Sequence, residues 1–213
     1  MRPIAKFYTP AAESSTGYVT GITGAGPWTP TNANAGDNLS HLTTIASTAD
    51  LSAITFTITG KDASGIALTE AITGPNVATV TGTKYFSSIT SISASATLGA
   101  NTADVGYAAN AVSQPIPMSY LANAPAIGIA AIVTGTINYT VQYTYRELNV
   151  SAPPTPVVQA DDAAWFAITA LSGKTSTLDA QIAFPIWALQ LLVNSLTAGA
   201  TIELDILQAV SSS

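Results

Sequence analysis

The chain has 213 residues, 47% of them hydrophobic and only 8% charged, with a formal net charge of −6 and a pI near 4.4. Soluble domains usually carry about 25% charged residues, so Thr, Ser, Asn and Gln must supply the polar surface, and little charge opposes self-association. The six basic residues (Arg2, Lys6, Lys61, Lys84, Arg146 and Lys174) are scattered, which excludes the converging phosphate contacts of a nucleic-acid binder, and the absence of cysteine excludes disulfides, thiolate metal sites and thiol nucleophiles.

Residues 1–38 hold Pro3, Pro10, Pro27 and Pro30 with several glycines and little periodicity. This predicts an extended N-terminal arm, since such a segment buries too little apolar surface to offset its own ordering entropy. Trp28, between Pro27 and Pro30, is the candidate interaction residue of that arm, with the two prolines as its frame. A tryptophan in coil either fills a partner's pocket or covers the edge of its own sheet, and both alternatives stand at this point. If the arm reaches a neighbour, deletion of residues 1–36 is expected to cost incorporation into an assembly while the fold survives.

From Leu39 the pattern is β. Ile54, Phe56 and Ile58 alternate with Thr55, Thr57 and Thr59, the period-2 mark of a half-buried strand. Residues 60–65 (GKDASG) supply a turn, and Ile66 to Ile72 the returning strand of a hairpin. Residues 73–76 make the next turn, and Val77 to Thr81 and Tyr85 to Ser93 are expected strands. Tyr120 to Val133 is the most hydrophobic run. It is too short to span a bilayer and is interrupted by Pro125, so it predicts a buried strand pair turning at residues 123–125.

Ile137 to Tyr145 gives the clearest strand, with Ile137, Tyr139, Val141, Tyr143 and Tyr145 on one face. Residues 151–156 (SAPPTP) predict a stiff linker. Beyond it, strands are expected around Trp165 to Leu171, Ala180 to Val193 and Thr201 to Ala209, the last with Glu203 and Asp205 facing solvent. The expected organisation is thus an arm (1–38), a β-sandwich domain (39–150), a linker (151–156) and a C-terminal β region (157–213) that packs on the first domain or on a neighbouring subunit. A faint repeat links PAIGIAAIVTGTINYTVQYTY to FPIWALQLLVNSLTAGATIELDILQA; both segments are expected to be hairpins closing their domains. Helix has no place in this pattern. The fold class is all-β: an antiparallel sandwich, Ig-like or jelly-roll-like, as one large or two small domains with the arm.

Chemistry is sparse. His41 is the single histidine, and no G-x-S-x-G elbow, calcium loop or G-K-[ST] sequence accompanies it. Glu203 and Asp205 lie at i,i+2 on one strand face, a spacing compatible with a glycosidase pair, but their surroundings are those of an ordinary outward face. Neither catalysis nor a cofactor or metal is expected, and no leader segment is visible at the N-terminus.

Residues 54–107, with the TFTITGKDASG hairpin, the TEAITGPN turn, the TKYF strand and the SATLGANT run, resemble a segment that recurs in virion structural proteins of tailed bacteriophages. The TIELDILQA ending is similar to the close of the same proteins. The resemblance implies a β-sandwich incorporated into a virion, made in the host bacterial cytoplasm. It implies no catalytic residues. Three roles follow as expectations: a capsid decoration or cement protein assembling as a homo-oligomer on the shell; a tail, collar or fibre-attachment component; and, from another class, a receptor- or carbohydrate-binding module. Exposed aromatics would mark the last, and the tyrosine stripe at 139, 143 and 145 is expected to face inward instead. The expected partners are copies of the chain and phage capsid or tail proteins, with neither nucleic acid nor membrane.

Overall fold

The computed structural model describes residues 2–119, 126–148 and 163–208. In chain order the strands are β1 (Arg2–Tyr8), β2 (Ser14–Ile22), β3 (Ser40–Ala46), β4 (Thr55–Lys61), β5 (Ala67–Thr73), β6 (Thr79–Phe86), β7 (Ser88–Ala94), β8 (Ala103–Val112) and the two-residue β9 (Ile116–Pro117). They continue as β10 (Ile127–Thr134), β11 (Ile137–Thr144), the two-residue β12 (Phe166–Ala167), β13 (Leu178–Ile182), β14 (Ala188–Leu196) and β15 (Thr201–Gln208), with one 3₁₀ turn at Thr169–Leu171. All pairings are antiparallel, so the protein is an all-β, multi-sheet sandwich.

Three sheets build the described residues. A four-stranded sheet runs β1-β15-β10-β13, a three-stranded sheet runs β5-β4-β7, and an eight-stranded sheet follows the path β12-β11-β14-β8-β3-β6, with β2 added on β8 and β9 on β14. Two cores result. One holds Tyr8, Ile127, Ile129, Tyr139, Val141, Leu189, Leu191, Ile202, Leu204 and Ile206, between the four-stranded sheet and β11–β14. The other holds Tyr18, Ile45, Phe56, Ile58, Leu68, Phe86, Ile92 and Val105, between the three-stranded sheet and β2, β3, β6 and β8. Strand alternation produces this directly: β4 buries Phe56, Ile58 and Gly60 while β5 buries Leu68, Glu70 and Ile72, as period-2 side-chain geometry requires.

The free N-terminal arm is not found. Arg2–Tyr8 pairs with β15 over seven consecutive positions, and Ser14–Ile22 pairs irregularly with β8. Pro3 is tolerated because β1 is an edge strand, where its missing N–H interrupts no ladder on the outer side. The two strands belong to different cores, Tyr8 to one and Tyr18 and Ile22 to the other. Deletion of residues 1–36 is therefore expected to destroy the fold rather than spare it. Burial of three such side chains contributes about 5 kcal/mol or more, comparable with the whole stability of a domain. Loss of a cooperative thermal transition checks this, and a truncation that melts like the full chain refutes it.

The hairpin expected at residues 54–72 is β4–β5, closed by Asp62, whose Oδ1 accepts the Ser64 and Ile66 amides at 2.8 and 2.9 Å. Elsewhere boundaries shift. The strand expected over Tyr85–Ser93 is two: at Ser87 the chain leaves the eight-stranded sheet and enters the three-stranded one. The Val77 start fails because Val77 has φ +50° and the strand begins at Thr79. The run Ala180–Val193 is likewise broken, at Phe184-Pro185, into β13 and β14. The expected linker at 151–156 and the turn at 123–125 lie outside the described residues.

The two repeated segments are not hairpins. β10 lies in the four-stranded sheet and β11 in the eight-stranded one, whereas β14 lies in the eight-stranded sheet and β15 in the four-stranded one. Each segment is an arch between sheets. The arches stack on each other, β10 on β15 from Ile127↔Gln208 to Thr134↔Thr201 and β11 on β14 from Ile137↔Leu196 to Thr144↔Ala188. Their corners meet where Thr197 N–H donates to the Thr136 carbonyl at 2.9 Å. The sequence similarity thus corresponds to a local two-fold relation within one core.

Candidate interaction surface

β11 distributes its tyrosines along a gradient of exposure. Tyr139 is fully buried, and its hydroxyl donates to the Ser176 carbonyl at 2.9 Å. Tyr143 packs on the core while half-buried, and Tyr145, one residue beyond the strand, is 56% exposed. The inward stripe therefore holds at Tyr139 and fails at Tyr145, which lies past the end of β11.

Two phenylalanines join the outer end of the stripe. The register sets Phe166 of β12 opposite Tyr143, and the β13–β14 connection brings in Phe184. Both are exposed. Five ring pairs among Tyr143, Tyr145, Phe166 and Phe184 have centroids 5.4 to 6.0 Å apart in tilted or edge-on arrangements, the geometries that aromatic quadrupoles favour. A depression lined by Tyr145, Glu147, Pro185, Ile186 and Trp187 continues the patch. Contiguous exposed aromatics of this kind mark interaction sites, and Tyr is enriched among the residues that dominate binding energy.

Trp28 lies elsewhere. Its backbone bridges to Ile92 of β7 through N–H···O bonds of 2.7 and 3.0 Å, and its indole Nε1 donates to the Thr23 carbonyl at 2.9 Å. The ring packs on the second core and covers the open edge of β7, one of the two alternatives the sequence left open. Pro27 is exposed and Pro30 half-buried. Trp28 thus packs on the second core, whereas Tyr143 packs on the first.

His41 is entirely buried, with both ring nitrogens committed: Nδ1 lies 2.9 Å from the Ala108 carbonyl and Nε2 2.8 Å from Asp37 Oδ2. A carbonyl can only accept, so Nδ1 is the donor in the bond to Ala108. The ring keeps no nitrogen for a substrate. Asp37 also accepts the Ala11 and Leu39 amides. Burial on its own would raise this carboxyl's pKa, but His41 and the two amides outweigh it and hold the group below the usual carboxylate value. Glu203 and Asp205 face outward from β15, in alternation with buried Ile202, Leu204 and Ile206. Among the described residues no group of three or more His, Cys, Asp or Glu could hold a metal ion.

No family model, curated protein or solved structure matches this chain. What the aromatic surface does must therefore be argued from its own chemistry. Phe166 and Phe184 escaped the sequence reading because each sits in a segment taken for continuous strand. The signal was present at Phe184: a following proline disfavours strand continuation and turns the chain outward.

Proposed function

We propose that this protein is a non-enzymatic structural component of a bacteriophage virion, a capsid decoration or cement protein that assembles as an oligomer on the particle. The observation that carries the reading is the cluster of half-buried Tyr143 with exposed Tyr145, Phe166 and Phe184 on a chain with only 8% charged residues. Exposed aromatics alone serve a receptor- or carbohydrate-binding module equally, and it is the scarcity of charge that favours assembly. A surface so poor in charge lacks the usual barrier to association, and a rigid aromatic cluster supplies contact area at low conformational cost. The particle itself enters through the likeness of residues 54–107 and of the C-terminal strand to virion proteins. A tail or collar position uses the same physics, and copy number per particle separates the two.

The double substitution Tyr145→Ser with Phe184→Ser tests the patch. Both side chains are exposed, so stability should fall by no more than about 1 kcal/mol. Self-association by sedimentation velocity, or co-sedimentation with capsids, should weaken at least about tenfold. A wild-type chain that stays monomeric and binds neither capsids nor tails would falsify the proposal.

A further inference from the structure

The eight-stranded sheet encloses a second site on its other side. β12 and β6 are opposite edges of that sheet. In a flat sheet five steps of about 4.8 Å would hold them about 24 Å apart. Yet Trp165, next to β12, and Thr83 and Tyr85 of β6 line the same cleft of about 220 Å³. The sheet is therefore curled into an open half-barrel, as the accumulated strand twist allows. Its middle strands supply the floor, with Val112 of β8 and Leu192 of β14, and the β4–β5 turn closes one side with Ala63. Mouths of such barrels are recurrent ligand positions.

The lining chemistry is specific. Gln142 and Gln190 are directly opposed on β11 and β14 and both reach the cleft. Gln190 is 3% exposed, and its Nε2 is fixed by donating to the Ser113 carbonyl at 2.9 Å. Side-chain amides both donate and accept, which matches hydroxyl groups. Trp165 and Tyr85 add aromatic surface to the lining, and aromatic rings attract the electropositive C–H face of a pyranose by the same quadrupole that orders aromatic pairs. No Lys or Arg lines the cleft and the carboxyl of Asp62 does, so phosphate, sulfate or carboxylate ligands find no counter-charge and meet an acidic side chain. The volume lies below the roughly 300–1,000 Å³ of sites for drug-sized ligands and suits a single sugar ring.

We propose that this cleft binds one unit of a neutral saccharide, stacked on Trp165 and Tyr85 and hydrogen-bonded by Gln142 and Gln190. The site lies on the sheet face away from the core that β11 and β14 share with the four-stranded sheet. It stands independently of the assembly reading, and either can fail without the other.

The test is saturation-transfer NMR on the full chain, using the methyl glycosides of glucose, galactose, mannose and N-acetylglucosamine at millimolar concentration. Ring-proton signals are expected from at least one of them. Gln142→Leu keeps the side-chain volume and removes the amide; it should weaken that binding roughly tenfold, the value of a lost polar contact, with an unchanged melting transition. Trp165→Ala should abolish the signal, while the Tyr145→Ser and Phe184→Ser pair should leave it intact. Absence of signal from all four glycosides overturns the proposal, as does a signal that survives both cleft substitutions.

Discussion

Replacing Asp37 with Ala is expected to cost about 3 kcal/mol of stability, the upper end for leaving buried hydrogen-bonding groups without their acceptor. The figure follows from what one carboxylate joins. Asp37 Oδ2 accepts from the Ala11 amide and from His41 Nε2, and Oδ1 accepts from the Leu39 amide. His41 Nδ1 then reaches the Ala108 carbonyl. Between the pairs His41↔Ala111 and Thr43↔Tyr107 one residue on β3 (Leu42) faces three on β8 (Ala108, Ala109 and Asn110), so β8 is bulged and Ala108 is displaced from the regular ladder. The imidazole fills that gap, and the Tyr107 ring lies against it at 5.1 Å. Removing the carboxylate leaves a buried imidazole and two amides without their acceptor. It also unties the β1–β2 connection from β3 at the point where the chain passes from one core to the other. Chemical denaturation of the full chain checks the size; a loss below about 1 kcal/mol, typical of an exposed pair, would show that the pair does not carry this load.

The same pair fixes a pH dependence. Because the folded-state pKa of Asp37 is held below its unfolded value, the unfolded chain binds more protons in the window between them. Its stabilisation is thus complete above about pH 5 and is lost as pH falls below about pH 4. Asp37→Asn removes this titration while keeping the shape, and its amide can donate to an imidazole that carries a single proton on Nδ1. The Asn variant should be less stable than wild type at neutral pH, with the difference shrinking on acidification. Denaturant midpoints measured from pH 7 to about pH 3 should therefore converge; parallel curves would remove Asp37 from the acid limb.

Much of the fold was legible because strand periodicity is a local property. The β4–β5 hairpin follows from Ile54, Phe56 and Ile58 and from the GKDASG turn, and the outward carboxylates of β15 follow from its alternation. The misreadings share one cause. β1 and β2 look like arm because Pro3, Gly17 and several small polar residues carry no periodic signal; they become strands only because distant β15 and β8 offer open edges. The two arches resembled hairpins for the same reason: a Gly-containing corner at 135 or 199 does not declare whether the chain folds back in one sheet or crosses to another. The candidate surface was half legible. Tyr143 and Tyr145 stood in the clearest strand, whereas Phe166 and Phe184 join them only through the β12 register and the break at Pro185.

Gly106→Ala should be the most damaging substitution of a single hydrogen by a methyl in β8, costing about 3 kcal/mol, the upper end for overpacking. A Cβ on Gly106 would collide with the Ser14 carbonyl oxygen and the Ser15 backbone. Neither is a side-chain end that can swing aside, so β2 as a whole must lift from β8. Gly17 reinforces the contact from the other strand, since a Cβ there would enter the Tyr107 ring. Lifting β2 draws Tyr18 and Ile22 out of the second core and strains the Asp37 contact to Ala11 just before it. Gly128→Ala is the matched control: a Cβ there meets nothing nearer than the Leu207 carbonyl at 3.9 Å, so its effect should stay within about 0.5 kcal/mol. Denaturation midpoints of the two variants decide the point. Equal losses would mean that β2 can rise from β8 without consequence, and that the N-terminal segment is the detachable arm its prolines suggest; a large loss confined to Gly106→Ala makes it an integral strand joining both sandwiches.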